Sequence, residues 1–399
     1  MKFVKYLPEF GVEPIVYCPE NPNYLKTDET LLQEVSNEVT ILKVPVTDVS
    51  KFALRPKKKS TSGVANATNN KLLSFIRGNF FTPDAKVLWV NPSVEFLTNY
   101  LTENPVDVII STGPPHSMHL IAQKLKESFG IPWMADFRDP WTDLYYNKDF
   151  YQLGFAKRKN NRLEERVLKT ADMVVTVGNE LKKYFDRFNS NVEVITNGYD
   201  DEVDNYEKIE LSHKFSLSYI GLLPKSSLPT NLLIAIQRLI EEKPEFNNDI
   251  ELNFVGDIHE SVSALVSELG LSEYTNFLGY VPHNEAIKYQ KSAWVLLVII
   301  PNVEGNKGII TGKVFEYMAA NRPILALGPT DGDLQTILND SNAGTVIDYD
   351  DLDKIKSVLI DLYTKFKNRK LAIVSQGVEK YHRRNLTKQL ATIIKQVKS

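Results

Sequence analysis

A short glycine-bounded loop followed by a lysine and a glutamate is the segment best suited to bind an anion. The loop runs from Gly308 to Gly312, and a helical pattern begins near Lys313. Backbone N–H groups of such a loop can approach an anion, and the helix start adds partial positive charge. Thr311 offers a hydroxyl, and Glu316 is placed to accept hydrogen bonds from paired hydroxyls such as those of a ribose. From spacing alone, an ordinary loop with a solvated glutamate is an equally good interpretation.

A second set of polar residues lies in the first half of the chain, where two predicted strands end. His116 follows one strand, and Asp136, Arg138 and Asp139 cluster at the end of the next. Carboxylates beside an arginine can orient sugar hydroxyls or bind an acceptor, and they can equally form a structural ion-pair network. His119 gives His116 a histidine neighbour, but no third metal ligand follows at motif spacing, so we expect no metal site.

The composition excludes several classes of protein. Of the 399 residues, 43% are apolar and 24% charged, as in soluble globular domains. The 47 basic and 50 acidic residues give a net charge of −3, so no overall field attracts nucleic acid. Cys18 is the single cysteine, which excludes an internal disulfide and fits a reducing compartment. Since a membrane span needs about 20 apolar residues and no signal peptide is evident, we expect a cytoplasmic protein.

Short apolar runs alternate with helical patterns along the whole chain, which predicts parallel sheets covered by helices on both faces. About a dozen strands favour two doubly wound α/β domains over a single sheet. The predicted strands are 14–18, 39–44, 106–111, 133–137, 173–177, 192–196, 216–220, 251–255, 294–300, 323–327 and 345–348. The main predicted helices are 2–10, 117–129, 158–170, 180–188, 228–242, 260–269, 284–292, 314–320, 351–367 and 378–397.

Several ordered segments resemble the retaining GT-B glycosyltransferases of family 4, the glycosyl transferases group 1. The stretch from Lys313 to Pro329 is similar to the nucleotide-sugar signature of that family. The other segments are YIG at 219–221, NFVG at 253–256, FLGYVPH at 277–283, STGPPHS at 111–117 and WMADFRDPW at 133–141. The last two resemble a bacterial branch. The resemblance implies the GT-B architecture, in which two Rossmann-like domains face each other across a cleft.

The resemblance also implies roles for particular residues. A glutamate of the signature helix, here Glu316, would hold the donor ribose. The donor-binding positions would be Gly221, Lys225, Gly256, Ile310, Thr311, Gly312, Lys313, Val314 and Glu316. His116, Asp139 and Arg138 would be catalytic, although a histidine in a helix N-terminal turn is more often structural. No metal or other cofactor is expected, because GT-B transferases generally do not need one.

Two positions depart from the family pattern. The first of the two glutamates that the family motif often carries is replaced by Gly308. The arginine expected in the loop after the first donor-domain strand is replaced by Leu222, with only Lys225 nearby. Charge compensation for a diphosphate would therefore rest on Lys225, Lys313 and the helix dipole.

The predicted domains are an acceptor-side domain at 1–205, a donor domain at 206–377 and a helix at 378–399 that crosses back to the first domain. The first recognisable element is a helix, whereas a doubly wound domain normally opens with a strand and a tight turn. The opening strand and its glycine-rich loop are therefore expected to be missing from this chain.

The sequence thus predicts a glycosyltransferase that moves a sugar from a nucleoside-diphosphate sugar to a glycan or lipid-linked acceptor, with retention, in bacterial surface polysaccharide synthesis. A sugar-nucleotide 2-epimerase of the same fold and a truncated, non-catalytic nucleotide-binding form stay open as alternatives. The stretch from Lys51 to Arg77 contains seven basic and no acidic residues and leads into apolar positions. It is equally consistent with an anionic membrane surface as partner and with a surface loop before a core helix. Nucleic acid is not an expected partner.

Overall fold

The computed structural model describes residues 2–20, 36, 38–46, 71–142, 152–200, 209–371 and 375–398. The chain forms two compact units, one from Met1–Thr196 with Arg383–Ser399 and the other from Asn197–His382. Both belong to the predicted α/β class, and every described strand pairing is parallel. The predicted boundary at residue 205 lies outside the described residues.

The first unit contains two separate sheets. Strands β1 (Ile15–Pro19) and β2 (Thr40–Val44) pair with each other, whereas β3 to β6 form a four-stranded sheet in chain order. Strands β3 to β6 span Ile109–Gly113, Trp133–Phe137, Met173–Thr176 and Val192–Val194. No described strand joins β1 to β3. The break lies where a doubly wound sheet of order 3-2-1-4-5-6 has its opening strand, whose absence stays a prediction.

The first unit contains seven described α-helices, several of which pack on its four-stranded sheet. They are α1 (Lys2–Tyr6), α2 (Lys71–Phe80), α3 (Val90–Glu103), α4 (Ser117–Phe129), α5 (Gly154–Thr170), α6 (Asn179–Phe185) and α14 (Arg383–Lys398). Leu386 and Leu390 of α14 share a buried cluster with Met134 and Val175 of the sheet. Because Trp133, in the same strand as Met134, belongs to a different cluster with Val167 of α5, strand β4 is buried on both faces.

The second unit has one six-stranded parallel sheet, in the order β12-β11-β10-β7-β8-β9. Strands β7 to β12 span Phe215–Ile220, Ile250–Val255, Thr275–Gly279, Val295–Ile299, Ile324–Leu327 and Gly344–Ile347. Helices α7 to α13 span Thr230–Glu242, Pro244–Asp249, Glu260–Glu268, His283–Ser292, Lys313–Ala319, Asp333–Ser341 and Leu352–Lys367. Two buried clusters, one on each face, hold the helices on the sheet. Since all strands are parallel, their carboxyl ends lie at one edge.

The C-terminal helix begins later than the predicted residue 378. A short 3₁₀ helix at Val378–Tyr381 is followed by His382 in an extended conformation, and α14 begins at Arg383. His382 forms a parallel bridge with Tyr199, and the Tyr381 ring packs 5.1 Å from that of Phe315. These contacts attach residues 378–382 to the second unit, so the predicted division at 377 is wrong.

Candidate functional site

Two glycine loops meet at the carboxyl ends of the neighbouring strands β7 and β8. Gly221 has φ 121° and Gly256 has φ 122°, a backbone region that other residues rarely adopt. A Cβ atom on Gly256 would lie 2.4 Å from the Gly221 carbonyl oxygen, so a larger residue would not fit. The Gly221 N–H also donates to the Val255 carbonyl at 2.8 Å. The fold therefore brings these two predicted donor-binding positions together.

Lys313, in the first turn of α11, reaches the loop after β7. Its Nζ donates to the Tyr219 hydroxyl at 2.7 Å and lies 3.9 Å from the centre of the Tyr219 ring. A Cβ atom on Gly221 would come within 3.0 Å of the same Nζ. Burial lowers the pKa of Lys313 to about 7, and the charge of Glu316 acts in the opposite direction. Among the described residues no carboxylate lies within ion-pair distance of Nζ, so no internal charge neutralises the protonated form of Lys313.

Glu316 lies one turn further along α11 and contacts α10. Gln290 of α10 donates from Nε2 to Oε2 of Glu316 at 2.9 Å. The other carboxylate oxygen, Oε1, has no hydrogen-bond partner within the described part of the chain. The buried Tyr317 hydroxyl accepts from the Ile220 N–H at 2.9 Å, which fixes the end of β7 against α11. This contact sets the helix that carries Lys313 and Glu316 beside the glycine loops.

The loop before α11 and the start of that helix supply backbone polar groups and one side-chain hydroxyl as possible ligand contacts. Ile310 is 9% exposed and Val314 is 0% exposed, and both pack in a core cluster of the second unit. Only their backbone atoms are therefore available for the donor-binding role predicted for them. Thr311 differs, because its Oγ1 is buried without a hydrogen-bond partner. A Cβ atom on Gly312 would meet open space, so packing alone does not require this glycine.

Lys225 lies in the short 3₁₀ helix Lys225–Ser227 and is exposed, with no hydrogen bond or ion pair to the described residues. Leu222, at the position of the family arginine, is 55% exposed. Its carbonyl accepts from the Tyr219 hydroxyl at 2.6 Å. Tyr219 thus links the loop after β7 to Lys313. The ammonium group of Lys313 contacts Tyr219 and approaches Gly221, whereas that of Lys225 has no such contact. The role of Lys225 stays a prediction.

In the first unit, His119 is part of a buried hydrogen-bonded chain. Its Nδ1 pairs with Ser111 Oγ at 2.8 Å, and that oxygen accepts from Trp133 Nε1, also at 2.8 Å. The imidazole stacks on Phe137 with 4.3 Å between ring centres. Burial, and secondarily the neighbouring His116, hold the pKa of His119 well below its usual value. His119 therefore has a structural position.

His116 lies in the same aromatic group and is 5% exposed. Its ring stacks on Trp141 at 5.0 Å with an interplanar angle of 7°. Burial lowers the pKa of His116 to about 4, against a smaller opposing effect of the Pro140 carbonyl. Neither ring nitrogen makes a hydrogen bond of good geometry. The histidine is therefore neutral near pH 7, and its predicted catalytic role stays a prediction.

Arg138 is held by a network at the end of β4. Its Nε pairs with the Asp136 carboxylate at 2.9 Å, and Nη1 donates to the Ile195 carbonyl at 3.0 Å. Thr112 Oγ1 donates to the same carboxylate at 2.9 Å. The guanidinium carbon also lies 5.1 Å from the centre of the Phe3 ring. Of the two interpretations that the sequence left open, these contacts favour a structural ion-pair network for Asp136 and Arg138.

Asp139 differs from Asp136, although only two residues separate them. Its side chain has no hydrogen bond or ion pair to any described residue, and burial raises its pKa. A partly buried carboxylate without a partner is available to a hydroxyl-bearing ligand. Of the three residues predicted to be catalytic, Asp139 has the side chain that is least committed to internal contacts.

Sequence reasoning missed three residues of the second-unit site. Tyr219 orients Lys313, Tyr317 fixes the loop after β7, and Gln290 contacts Glu316. Tyr219 and Tyr317 both lie inside segments that resemble the family, at 219–221 and 313–329, but no role was assigned to either tyrosine. Gln290 lies 26 residues before Glu316 on a different helix. No local spacing points to it.

The described ranges hold neither a metal-binding cluster nor a membrane-spanning helix. They contain no group of three or more histidine, cysteine, aspartate and glutamate side chains arranged to hold a metal ion. Whether the reaction needs a metal stays a prediction. Within the same ranges, no helix has both the length and the apolar character needed to cross a membrane.

Comparison with known proteins agrees with the fold. The profile of Glycosyltransferase Family 4 matches residues 1–203, and that of Glycosyl transferases group 1 matches residues 214–365. The first match alone spans more than half of the 399 residues. The chain therefore belongs to Glycosyltransferase Family 4, and it is a glycosyltransferase. No curated protein sequence matches it at a significant level.

Solved structures show the same fold. Sucrose-phosphate synthase from Thermosynechococcus elongatus aligns with a TM-score of 0.63 and 13% identity, over 99% of this chain and 92% of that one. WaaG, a glycosyltransferase involved in lipopolysaccharide biosynthesis, gives 0.55 and 16%, over 99% and 94%. HepE from Anabaena, in complex with UDP-glucose, gives 0.50 and 13%, over 76% and 80%. The predicted GT-B class is confirmed.

Proposed function

We propose that this glycosyltransferase moves a sugar from a nucleoside-diphosphate sugar to a glycan or lipid-linked acceptor. The proposal rests on the cluster of Gly221, Lys313 and Glu316 at one edge of the second sheet. The cluster combines an exposed glycine backbone, a buried cation without a carboxylate partner and a carboxylate oxygen without a partner. A diphosphate and a pair of ribose hydroxyls are complementary to these groups.

The diphosphate binds on the side of Lys313 and the two glycine loops. Lys313 supplies the positive charge that the family arginine would supply at Leu222. Its Nζ already lies beside the loop that carries Leu222, through the hydroxyl of Tyr219. The unpartnered Oγ1 of Thr311 is a further hydrogen-bond donor for a phosphate oxygen. Glu316 accepts from the ribose through Oε1, while Oε2 stays on Gln290.

The acceptor binds the first unit, where Asp139 is the side chain with most freedom to contact it. Its carboxylate accepts from a hydroxyl of the acceptor or of the transferred sugar. Arg138 acts by holding the end of β4, through Asp136 and the Ile195 carbonyl. His116, being neutral and stacked on Trp141, contributes a polar edge beside this strand end.

The reaction proceeds with retention of anomeric configuration. The bond between the anomeric carbon and the diphosphate oxygen breaks, and the acceptor oxygen attacks on the face from which the diphosphate leaves. The departing phosphate oxygen takes the acceptor proton, so no strong protein base is required. The chain contributes positioning and stabilisation of the leaving charge, chiefly through Lys313 and Thr311.

The relatives support a role in bacterial surface polysaccharide synthesis. WaaG is described as a lipopolysaccharide glycosyltransferase, and HepE was solved with UDP-glucose. HepE, at 13% identity, makes UDP the first donor nucleotide to test, and it leaves the choice of sugar open.

Calorimetric titration of the full chain with UDP, GDP, ADP and dTDP tests the donor site. Micromolar binding of one nucleotide, weakened in Glu316→Ala, is the expected result. If none of the four binds, the departures at Gly308 and Leu222 have disabled the site, and the donor proposal is wrong.

Product analysis then separates a transferase from its alternatives. The sugar nucleotides of the preferred base are incubated with the protein, with and without a membrane extract that contains acceptors. A transferase forms a glycosylated product only when acceptor is present. A 2-epimerase converts the donor in the absence of acceptor, and a non-catalytic form binds the nucleotide without forming either product.

We also propose that the first unit associates with an anionic membrane surface, on the cytoplasmic side. Residues 51–70 of the basic stretch lie outside the described residues, but the helices α2 and α5 support the idea. The Leu153 N–H, just before α5, donates to Asn79 Oδ1 of α2 at 2.7 Å. The exposed apolar side chains near this contact are Ile76, Phe80, Leu153 and Phe155, and the exposed basic ones are Arg77, Lys157, Arg158 and Lys159.

Sedimentation with vesicles tests this surface. The protein should bind vesicles that contain about one third phosphatidylglycerol and should not bind pure phosphatidylcholine, because each well-placed basic residue contributes about 1 kcal/mol. Phe80→Ser with Phe155→Ser should weaken the binding, whereas Phe277→Ser, at an exposed site in the second unit, should not. Equal binding to both vesicle types would contradict the proposal.

A further inference from the structure

Gln290 is a polar residue on the buried face of α10. That face also carries Ala286 and Ile287, and Gln290 itself is only 2% exposed. Glutamine is mostly found at protein surfaces, because burying its amide is favourable only when both of its polar atoms are hydrogen-bonded. A fully buried glutamine therefore needs an explanation from its contacts.

The amide of Gln290 is satisfied on one side only. Its Nε2 donates to Glu316 Oε2 at 2.9 Å, while its Oε1 is buried without any hydrogen-bond partner. The orientation of the amide is fixed by chemistry, since a carboxylate can only accept and Nε2 is the donor. An unpaired buried carbonyl lowers stability, so an apolar side chain would suit core packing better at this position. The feature that glutamine adds is the hydrogen bond to Glu316.

That hydrogen bond restricts the carboxylate of Glu316. A glutamate side chain has three rotatable bonds, and α11 fixes only its backbone. With Oε2 held by Gln290, the carboxylate plane is set and Oε1 is left without a partner among the described residues. Glu316 is partly exposed, so Oε1 can be reached by a ligand.

We propose that Gln290 is a positioning residue that orients Glu316 to bind the ribose hydroxyls of the nucleotide donor. This proposal rests on the donor site proposed above. One specific consequence follows. Gln290 contributes to the protein's preference for a nucleotide whose ribose carries hydroxyls at both the 2′ and the 3′ position. Gln290 has no predicted effect on the diphosphate, which the other residues of the site bind.

The test compares nucleotides with and without these hydroxyls. The preferred one of UDP, GDP and ADP and its 2′,3′-dideoxy counterpart are titrated into the wild type and into Gln290→Leu. Leucine has a similar volume and lacks the donor. The variant should lose about three- to tenfold in affinity for the ribonucleotide, the scale of one ordinary hydrogen bond, because Glu316 keeps its carboxylate and loses only its orientation. Its affinity for the dideoxynucleotide should not change.

Two further variants separate positioning from a general structural effect. Gln123→Leu is the matched control, because Gln123 is 4% exposed and donates through Nε2 to Thr170 Oγ1 at 3.1 Å in the first unit. It should leave both affinities unchanged. In a Glu316→Ala background, Gln290→Leu should have no additional effect on ribonucleotide binding, because the group that it orients is gone.

The outcomes distinguish this proposal from the one on which it depends. Failure of the wild type to bind any of the three nucleotides overturns the donor site, and the role of Gln290 with it. If the wild type prefers the ribonucleotide and Glu316→Ala abolishes that preference, the donor site is supported. The role of Gln290 is then overturned if Gln290→Leu keeps the full preference, or if it weakens both nucleotides equally.

Discussion

The two units use the carboxyl ends of their strands in different ways. In the first unit, Arg138 and Asp136 neutralise each other in an ion pair, and Arg138 also donates to the Ile195 carbonyl, whereas Asp139 has no ion pair to a described residue. In the second unit, Lys313 and Glu316 are held by uncharged partners, and neither has its charge neutralised by an ion pair to a described residue. The same strand-end position therefore serves stability in one unit and leaves charge available for a ligand in the other.

This difference shows how to weigh a cluster of polar residues. The Asp136 and Arg138 pair looks reactive in the sequence, but the two charges neutralise each other in an ion pair. Lys313 looks like one cation among many, yet its burial beside Gly221 without a carboxylate is the more unusual arrangement. A charge that no ion pair neutralises, placed beside a glycine backbone, identifies the candidate site better than a concentration of charged residues does.

The difference between the two units predicts that substitution of Arg138 has the largest effect, a loss of stability. Arg138→Ala leaves the buried Asp136 carboxylate without its cation, which should lower the free energy of unfolding of the first unit by about 3–5 kcal/mol. Chemical denaturation of the variant measures this loss. Arg166→Ala is the control, since Arg166 forms an exposed ion pair with Glu127 and should change stability by less than about 1 kcal/mol. An unchanged stability of Arg138→Ala would contradict the structural role.

Glu316→Ala should weaken the binding of the nucleotide. Loss of the carboxylate that accepts from the ribose should weaken nucleotide affinity by about 1.5–3 kcal/mol, the usual range for a hydrogen bond to a charged group. Titration calorimetry measures it, with Glu285→Ala as control because Glu285 forms an exposed pair with Lys288. If the two variants bind the nucleotide equally well, Glu316 is not a ribose ligand.

The buried histidines predict that the protein is sensitive to acid. Burial lowers the pKa of His116 to about 4, whereas in the unfolded chain it is near 6.5. Above pH 6.5 the residue is neutral in both states. As the pH falls from 6.5 towards 4, only the unfolded chain takes up the proton, so stability is lost across this window.

His116→Phe should remove this contribution while keeping a ring against Trp141. Between pH 7.5 and pH 5, the variant should lose about 2 kcal/mol less stability than the wild type, as measured by denaturation at both values. His213→Phe, at an exposed position in the second unit, is the control and should follow the wild type. Identical pH dependence of wild type and His116→Phe would contradict the account.

The smallest predicted effect is a pH dependence of nucleotide affinity. The pKa of Lys313 is lowered to about 7, and the groups that face its ammonium are the neutral Tyr219 and the carboxylate of Glu316. If a diphosphate binds the protonated form, affinity should fall by about fivefold between pH 7 and pH 8. Lys313→Met should bind more weakly, with a flat profile over that range. A wild-type affinity that is constant from pH 6.5 to 8.5 would contradict contact between Lys313 and the diphosphate.

Much of the second unit could be predicted because its signals are local. The apolar β-branched strand 295–299 is buried on both faces, and Gly221 and Gly256 lie where the strands end. Each of these features depends on a few consecutive residues. The proximity of Gly221 to Gly256 also follows, since the two preceding strands are neighbours in the sheet.

The rest depends on contacts between distant segments. Gln290 reaches Glu316 from another helix, and Tyr219 meets Lys313 across 94 residues of sequence. The division of the first unit into two sheets concerns which strand edges pair, and β1 and β3 look equally suitable as strands. The start of α14 at Arg383 depends on the packing of Tyr381 against Phe315. None of these follows from residue type or spacing.

Hydrogen exchange of the full chain with and without its preferred nucleoside diphosphate tests the central claim most directly. The account predicts slower exchange on nucleotide binding in three segments of the second unit, at residues 219–223, 256–259 and 309–317. Segments 111–119 and 133–139 of the first unit should exchange at the same rate in both samples. Protection confined to the first-unit segments would contradict the account, because it would place the nucleotide in the first unit and not beside Lys313 and Glu316.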